Sequence, residues 1–336
     1  MKKWILHRNI ILIIAALLVG TSATISASPQ AEPIDGDKKI ITISAAGDCT
    51  LGYDYRQSTW NRFDTVAKQK GYAYFLQNVK PIFEKDDLTI INLEGPLTTA
   101  NTPAKKEFTF KGDPKYVSIL TTSSVEAADL ANNHTRDYGE SGYKETQKVL
   151  EKAGIGFFDD NALFYKTIKG IRVAVIGVKG WTSDKQSKDH LTKLITKAKS
   201  KSDLIIVMFH WGEERNYYPT QIQNNLAKHA IDAGAHLVLG SHPHVIQGIS
   251  KYHEKNIVYS MGNFCFGGNR NPSDKDSFIY QETFELTDKG IVSLSNQVIP
   301  CSISSVKDHN DYRPTPLIGN EKKRFEDKLA KYSRLK

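Results

Sequence analysis

The chain has 336 residues, 40% of them hydrophobic, and 45 Lys+Arg against 37 Asp+Glu give a formal charge of +8. That composition builds a substantial globular core and excludes a disordered or fibrous chain. Three cysteines, Cys49, Cys265 and Cys301, are too few for a disulfide framework, and none of them sits in a Cys-x-x-Cys zinc spacing.

At the start, Lys2, Lys3 and Arg8 precede an unbroken apolar run over residues 10–19, followed by small residues through Ser28. This is the pattern of a secretory signal. The run alone falls short of the ~20 residues of a membrane span, but extending it to Ala27 reaches that length. Residues 1–31 therefore read as a signal peptide or an N-terminal signal anchor. The expected location is secreted, or anchored on the outer face of the cytoplasmic membrane. Removing residues 1–31 takes away three bases and no acid, leaving +5. That mild excess suits an anionic surface or polymer, and no nucleic-acid motif accompanies it.

A polar linker with Pro33 and Gly36 covers residues 32–39. Residues 40–46 read as a strand running into Gly47-Asp48. Residues 72–84 carry Tyr72, Phe75, Leu76, Val79, Ile82 and Phe83 at helical spacing. A strand follows over 88–93, and an amphipathic helix over 140–153 stops at Gly154. Continuous apolar runs over 172–178 and 204–209 mark strands buried on both faces. A helix over 219–233 has Pro219 in its first turn and ends at Gly234. Residues 237–239 are a short strand. Beyond Gly248, residues 256–260, 278–286 and 291–298 read as strands with no helix between them. Alternating α/β followed by β predicts two packed sheets with helices outside, in one domain over 40–302. Residues 303–336 read as a polar C-terminal segment, a surface tail or a terminal helix.

Six candidate ligands lie in motifs that mostly follow these β-like runs: Asp48, Glu94, Asn133, His210, His242 and His244. Strands of a layered α/β fold end at a common edge, where such side chains converge on one crevice. Asp, Glu, Asn and His together suit Mn, Fe or Zn. Singly, an acid after a strand is a turn or capping residue as readily as a ligand. The order acid, acid, Asn-His, His, His-x-His gives the pattern its weight.

With Ala-Gly-Asp48, Asn92-Leu-Glu94, Asn133-His134-Thr-Arg-Asp137, His210-Trp-Gly-Glu213, Ser-His242-Pro-His244 and Met-Gly-Asn263-Phe264, the chain resembles the CapA family. These are poly-γ-glutamate capsule biosynthesis proteins of the calcineurin-like metallophosphoesterase superfamily. The resemblance spans about residues 40–300. It implies a four-layer αββα sandwich with one or two divalent metal ions, Mn favoured. By position, Asp48 and His244 hold one ion, Asn133, His210 and His242 hold the other, and Glu94 bridges. His134 is the implied general acid or oxyanion-stabilising group. Asp137 lies three residues on, where it either orients that ring or caps a helix start.

The chain departs from the superfamily pattern at Thr50, where an Asp-x-His histidine belongs, and at Asn92-Leu-Glu94, which replaces Gly-Asp-x-x-Asp. His236 stands where CapA-type proteins often carry Asp. The implied partners are an anionic cell-envelope polymer or phosphoester and membrane-bound capsule synthase subunits, since the chain has no phosphate-binding loop of its own. Two readings follow. One is an exported metal-dependent hydrolase. The other is a non-catalytic component that holds the polymer in a capsule synthase complex.

Overall fold

The structure is a computed structural model that describes residues 38–334. The expected signal segment, and all of the linker before Lys38, lie outside the described residues. The chain runs through β1 (Lys39–Thr50), β2 (Tyr53–Asp54), α1 (Phe63–Lys70), α2 (Lys80–Phe83), β3 (Leu88–Leu93), β4 (Phe110–Lys111) and α3 (Val117–Thr121). It continues with β5 (Ala127–Asp129), α4 (Gly139–Lys152), β6 (Gly156–Phe158), β7 (Phe164–Ile168), β8 (Ile171–Gly180), α5 (Lys185–Lys199), β9 (Leu204–Trp211) and α6 (Gln221–Ala233). Then come β10 (Leu237–Ser241), β11 (Ile249–Tyr252), β12 (Lys255–Val258), β13 (Asn263–Phe266), β14 (Asp276–Thr287), β15 (Gly290–Ser302), β16 (Thr315–Pro316) and α7 (Gly319–Ser333).

Two sheets carry the fold. The first has the order β16-β15-β14-β1-β3-β5-β6, with β13 pairing alongside β1; the second has the order β11-β12-β10-β9-β8-β7. In the first sheet β1, β3, β5 and β6 run parallel. In the second, β8, β9, β10 and β12 do so.

Each parallel strand is apolar on both faces because it is covered on both faces. Ala45, Ile90 and Ala127 face the second sheet, while their neighbours Ala46, Ile91 and Ala128 face α1–α4. Val173, Val175, Ile206 and Met208 turn to the space between the sheets; Ala174, Ile176, Ile205 and Val207 turn to α5 and α6. Three apolar layers separated by two sheets make the αββα sandwich.

Several local expectations change. Residues 72–84 are not one helix: a 3-10 turn at Tyr72–Tyr74 precedes the one-turn helix α2. Pro81 has no N–H for a carbonyl one turn back, so the helix restarts with Pro in its first turn. Pro219 lies before the cap of α6 rather than within its first turn. Thr220 is the N-cap and forms a capping box with Gln223. Residues 303–336, expected as a polar tail or terminal helix, carry β16 and the terminal helix α7, and Phe325 of α7 is buried against the inter-sheet layer rather than at the surface. Among the described residues, no helix is long and apolar enough to cross a membrane.

Candidate metal centre

The parallel strands of both sheets end at one edge, and the chain places its acids and imidazoles there. Asp48 lies near the end of β1, and Glu94 directly follows β3. Asn133 and His134 sit in the loop after β5, His210 is within β9, and His242 and His244 follow β10. At Gly47 the backbones pass so closely that an added Cβ would lie 1.9 Å from the Gly262 carbonyl oxygen. The next residue's N–H donates to that same oxygen at 3.0 Å, which sets the position of Asp48. The Ser-His-Pro-His turn is held open by His242 at φ 95° and His244 at φ 57°, a region that residues with side chains seldom occupy and that recurs at functional sites.

Glu94 is the centre of the cluster. It is fully buried, and neither carboxylate oxygen has a hydrogen-bond partner. His244 Nε2 lies 3.7 Å from its Oε1, and the Nε2 atoms of His134 and His210 each lie 3.9 Å away. His244 Nδ1 lies 3.2 Å from Asp48 Oδ2 and 2.9 Å from Asn263 Oδ1. His210 Nε2 lies 2.8 Å from Asn133 Oδ1, and its Nδ1 lies 3.0 Å from Ser241 Oγ. The Asn92 amide donates to Asp48 Oδ1 at 2.7 Å, and Asn132 donates to Asn92 Oδ1 and the Leu93 carbonyl. These carboxamides tie the ends of β1, β3 and β5 together.

His134 has its own support. Its Nδ1 lies 2.7 Å from Asp137 Oδ2, which also accepts the Phe110 N–H at 2.6 Å. The other Asp137 oxygen accepts from Lys106 Nζ at 2.7 Å. Asp137 therefore spends its carboxylate on the ring and the 100–110 loop, while α4 has no side-chain cap. The ring also stacks at a tilt on Phe110, with centroids 4.3 Å apart.

Burial dominates the electrostatics. It pushes Glu94 well above the usual carboxylate range, and the nearby charge of Asp48 adds to the effect. Burial holds His210 well below its ordinary value and His242 down to about 4, with the neighbouring imidazoles contributing to both. His244 goes the other way. Burial opposes its charge, but Glu94 and Asp48 overcome this and raise it to about 10.

The donor set fits a cation. Glu94, His242 and His244 each offer a ligand atom, all within 4.8 Å of one another. Both oxygens of Glu94 and Nδ1 of His242 are buried without a partner. Such orphaned groups are costly, and a divalent cation satisfies a carboxylate and an imidazole together. Thr50, where the resemblance calls for an imidazole, is buried with its hydroxyl unpartnered.

The structure brings together all eight residues singled out in the sequence. It adds Lys106, Asn132, Ser241, Asn263 and Trp181, the last standing edge-on over His242 at 4.8 Å and His210 at 5.8 Å with 41% of its surface exposed. Asn132 and Asn263 lie inside motifs already visible in the sequence. Lys106 and Trp181 come from intervening loops and carried no such signal. A cavity of about 780 Å³ is lined by none of the eight; it lies beside α7, where Arg324 and Lys328 are spent on Asp276 and Asp274.

The chain is thus an αββα sandwich with Asp, Asn, Glu and His gathered at its strand ends. The sequence profile described as "Bacterial capsule synthesis protein PGA_cap" matches residues 42–268, and the chain belongs to that family, the CapA family of capsule synthesis proteins. It is 30% identical over 320 residues to the "Capsule biosynthesis protein CapA" of Bacillus anthracis, covering 87% of this chain and 74% of that one. It is also 30% identical over 249 residues to the "PGA biosynthesis protein CapA" of Bacillus subtilis, covering 68% of this chain and 63% of that one. The calcineurin-like phosphoesterase YfkN of Bacillus subtilis overlays with a TM-score of 0.47 at 17% identity, over 88% of this chain and 99% of that chain.

Proposed function

We propose that this chain is an exported, metal-dependent hydrolase-fold protein of poly-γ-glutamate capsule biosynthesis, acting on a phosphoester or on the polymer itself. Asp48 and His244 would hold one ion and Asn133, His210 and His242 a second, with Glu94 available to either. The observation that carries this reading is the fully buried Glu94 carboxylate, partnerless and ringed by three imidazoles. When bound, divalent ions polarise a phosphoryl or carbonyl oxygen, activate water near neutral pH and leave a net positive centre for an anionic substrate.

The remaining work falls to the chain. Asp137, held by Lys106 and the Phe110 N–H, engages His134 Nδ1 and so directs Nε2 toward Glu94 and the reacting group. In that position His134 donates a proton or a hydrogen bond. Asn92 and Asn132 keep the Asp48 and Asn133 loops in register. Trp181 covers the His210–His242 side of the opening.

The relatives' names support the capsule role, and the apolar run over residues 10–19 supports export or anchoring beside membrane-bound synthase subunits. Elemental analysis of the purified chain, paired with a phosphodiester assay in added Mn²⁺, tests the reading. Bound metal, with turnover lost on chelation and in His242→Ala, is expected. A metal-free protein whose turnover ignores His242→Ala refutes it.

The second reading, a non-catalytic component holding a polyanion, is favoured by Thr50, whose buried hydroxyl replaces a ligating imidazole. It predicts that His134→Ala leaves polymer output in a deletion strain unchanged, while surface lysine substitutions reduce it.

A further inference from the structure

A second cavity, of about 300 Å³, is lined by Tyr53, Tyr55, Asn101, Pro103, Lys111 and Tyr138. Two of these belong to the short ribbon of β2 and β4, in which Tyr53 lies opposite Lys111 and Asp54 opposite Phe110. Opposed residues share one face of such a ribbon and successive residues alternate. Phe110 turns its ring to His134, with centroids 4.3 Å apart, so Lys111 and Tyr53 turn to the other face. The ribbon is thus a wall with His134 on one side and the cavity on the other. One loop joins the two sides. Pro103 lines the cavity, the Ala104 N–H donates to the Asp137 carbonyl at 2.7 Å, and Lys106 Nζ lies 3.2 Å from His134 Nδ1. The three residues from Pro103 to Lys106 span at most about 10 Å.

Lys111 supplies the charge. Its Nζ donates to the Ala100 carbonyl at 2.7 Å and to Asn101 Oδ1 at 3.1 Å, and lies 4.8 Å from the centre of the Tyr138 ring. No carboxylate pairs with it among the described residues. Glu145 spends both oxygens on Thr98 and Thr99, and the nearby Arg56 and Arg62 are spent on Asp54 and Asp64. An ammonium has three donors, so one is left for a ligand. The hydroxyls of Tyr53, Tyr55 and Tyr138 likewise have no hydrogen-bond partner among the described residues. A fixed, unneutralised ammonium among tyrosines suits an anion on an apolar stem: the donors take the charge and the rings pack on the methylenes. A single positive charge matches one carboxylate rather than a phosphate dianion.

We propose that Lys111, with Tyr53, Tyr55 and Tyr138, forms a subsite for a carboxylate-bearing unit of the anionic polymer and holds that polymer beside the metal centre. The inference rests on the reading above in which the polymer is the substrate. It puts polyanion recognition in a cavity across the β2–β4 ribbon from His134, separate from the metal ligands.

The full chain, chelator-treated and with added Mn²⁺, is titrated by calorimetry with a γ-linked glutamyl oligomer and with its uncharged, amidated counterpart. Wild type is expected to bind the oligomer under both conditions, and the amide at least about tenfold more weakly. Lys111→Met keeps the stem, removes the charge and weakens oligomer binding about ten- to hundredfold, the range for loss of a charge-assisted hydrogen bond. Tyr53→Phe removes one unpartnered hydroxyl, keeps the ring and weakens binding about two- to tenfold. Lys193→Met, the same charge change at an exposed position of α5, binds as wild type does. Thermal melts establish that each variant is folded. An equal loss in Lys193→Met, equal affinity for the amide, or displacement of the oligomer by equimolar inorganic phosphate overturns the inference. If wild type binds the oligomer and the Lys111 and Tyr53 variants bind it equally well, only the subsite falls. If wild type binds no oligomer with or without Mn²⁺, the polymer reading falls with it.

Discussion

His236 provides a clean pH probe, because it lies outside the metal cluster yet holds two strands in register. Its Nδ1 accepts the Ile205 N–H at 3.0 Å, and its own N–H donates to the Ile205 carbonyl, just where β9 and β10 begin to pair. Burial lowers the ring from 6.5 to about 4, with Lys255 and Lys199 contributing. Protonating Nδ1 would remove the acceptor and set two donors face to face. The folded value lies below the unfolded one, so the group contributes stability above pH 6.5 that is lost as pH falls through 4. Between pH 7 and 4.5 the linkage amounts to about 2 kcal/mol.

His236→Asn is the matching perturbation, since the carboxamide oxygen takes the place of Nδ1 but does not titrate. Urea unfolding of chelator-treated protein, followed by tryptophan fluorescence at pH 7, 5.5 and 4.5, measures both chains. The stability of wild type relative to the variant should fall by about 2 kcal/mol across that range. Metal content should be the same in both. Parallel stability curves, within about 0.5 kcal/mol, would refute the assignment of a neutral, accepting His236.

Three further outcomes are expected. His134→Ala should keep its fold and bound metal yet lose ~10²–10⁴-fold of phosphodiester turnover, measured under saturating Mn²⁺. Gly47→Ala should lower the melting temperature and the metal content together, because its Cβ meets the Gly262 carbonyl and such overpacking costs about 1–3 kcal/mol or more. Thr50→His should raise the bound metal toward two tight equivalents by elemental analysis, and unchanged content would show that position 50 does not face the ion.

The convergence of the candidate ligands was legible in the sequence because of how strands end. A polar residue just after an apolar run in a layered α/β chain sits at the sheet edge, so Asp48, Glu94, Asn133, His210, His242 and His244 could be placed at one crevice without coordinates of any partner. The αββα layering was legible for a related reason, since the runs at 172–178 and 204–209 are apolar at every position and must be covered on both faces. Local chemistry was read less well. Pro81 divides the 72–84 pattern, and α5 shows itself in the structure through its Asp184 cap and the buried face of Leu191, Leu194, Ile195 and Ala198.

What the tertiary structure alone decided is the support around the candidate ligands. Lys106 reaches Asp137 across 31 residues, Trp181 stands over His242, and Asn263 joins His244 through the pairing of β13 with β1. Periodicity along a chain records which face a residue presents to its own element. The partner it meets there depends on which strands lie side by side, and that is settled only when both sheets close over their shared core.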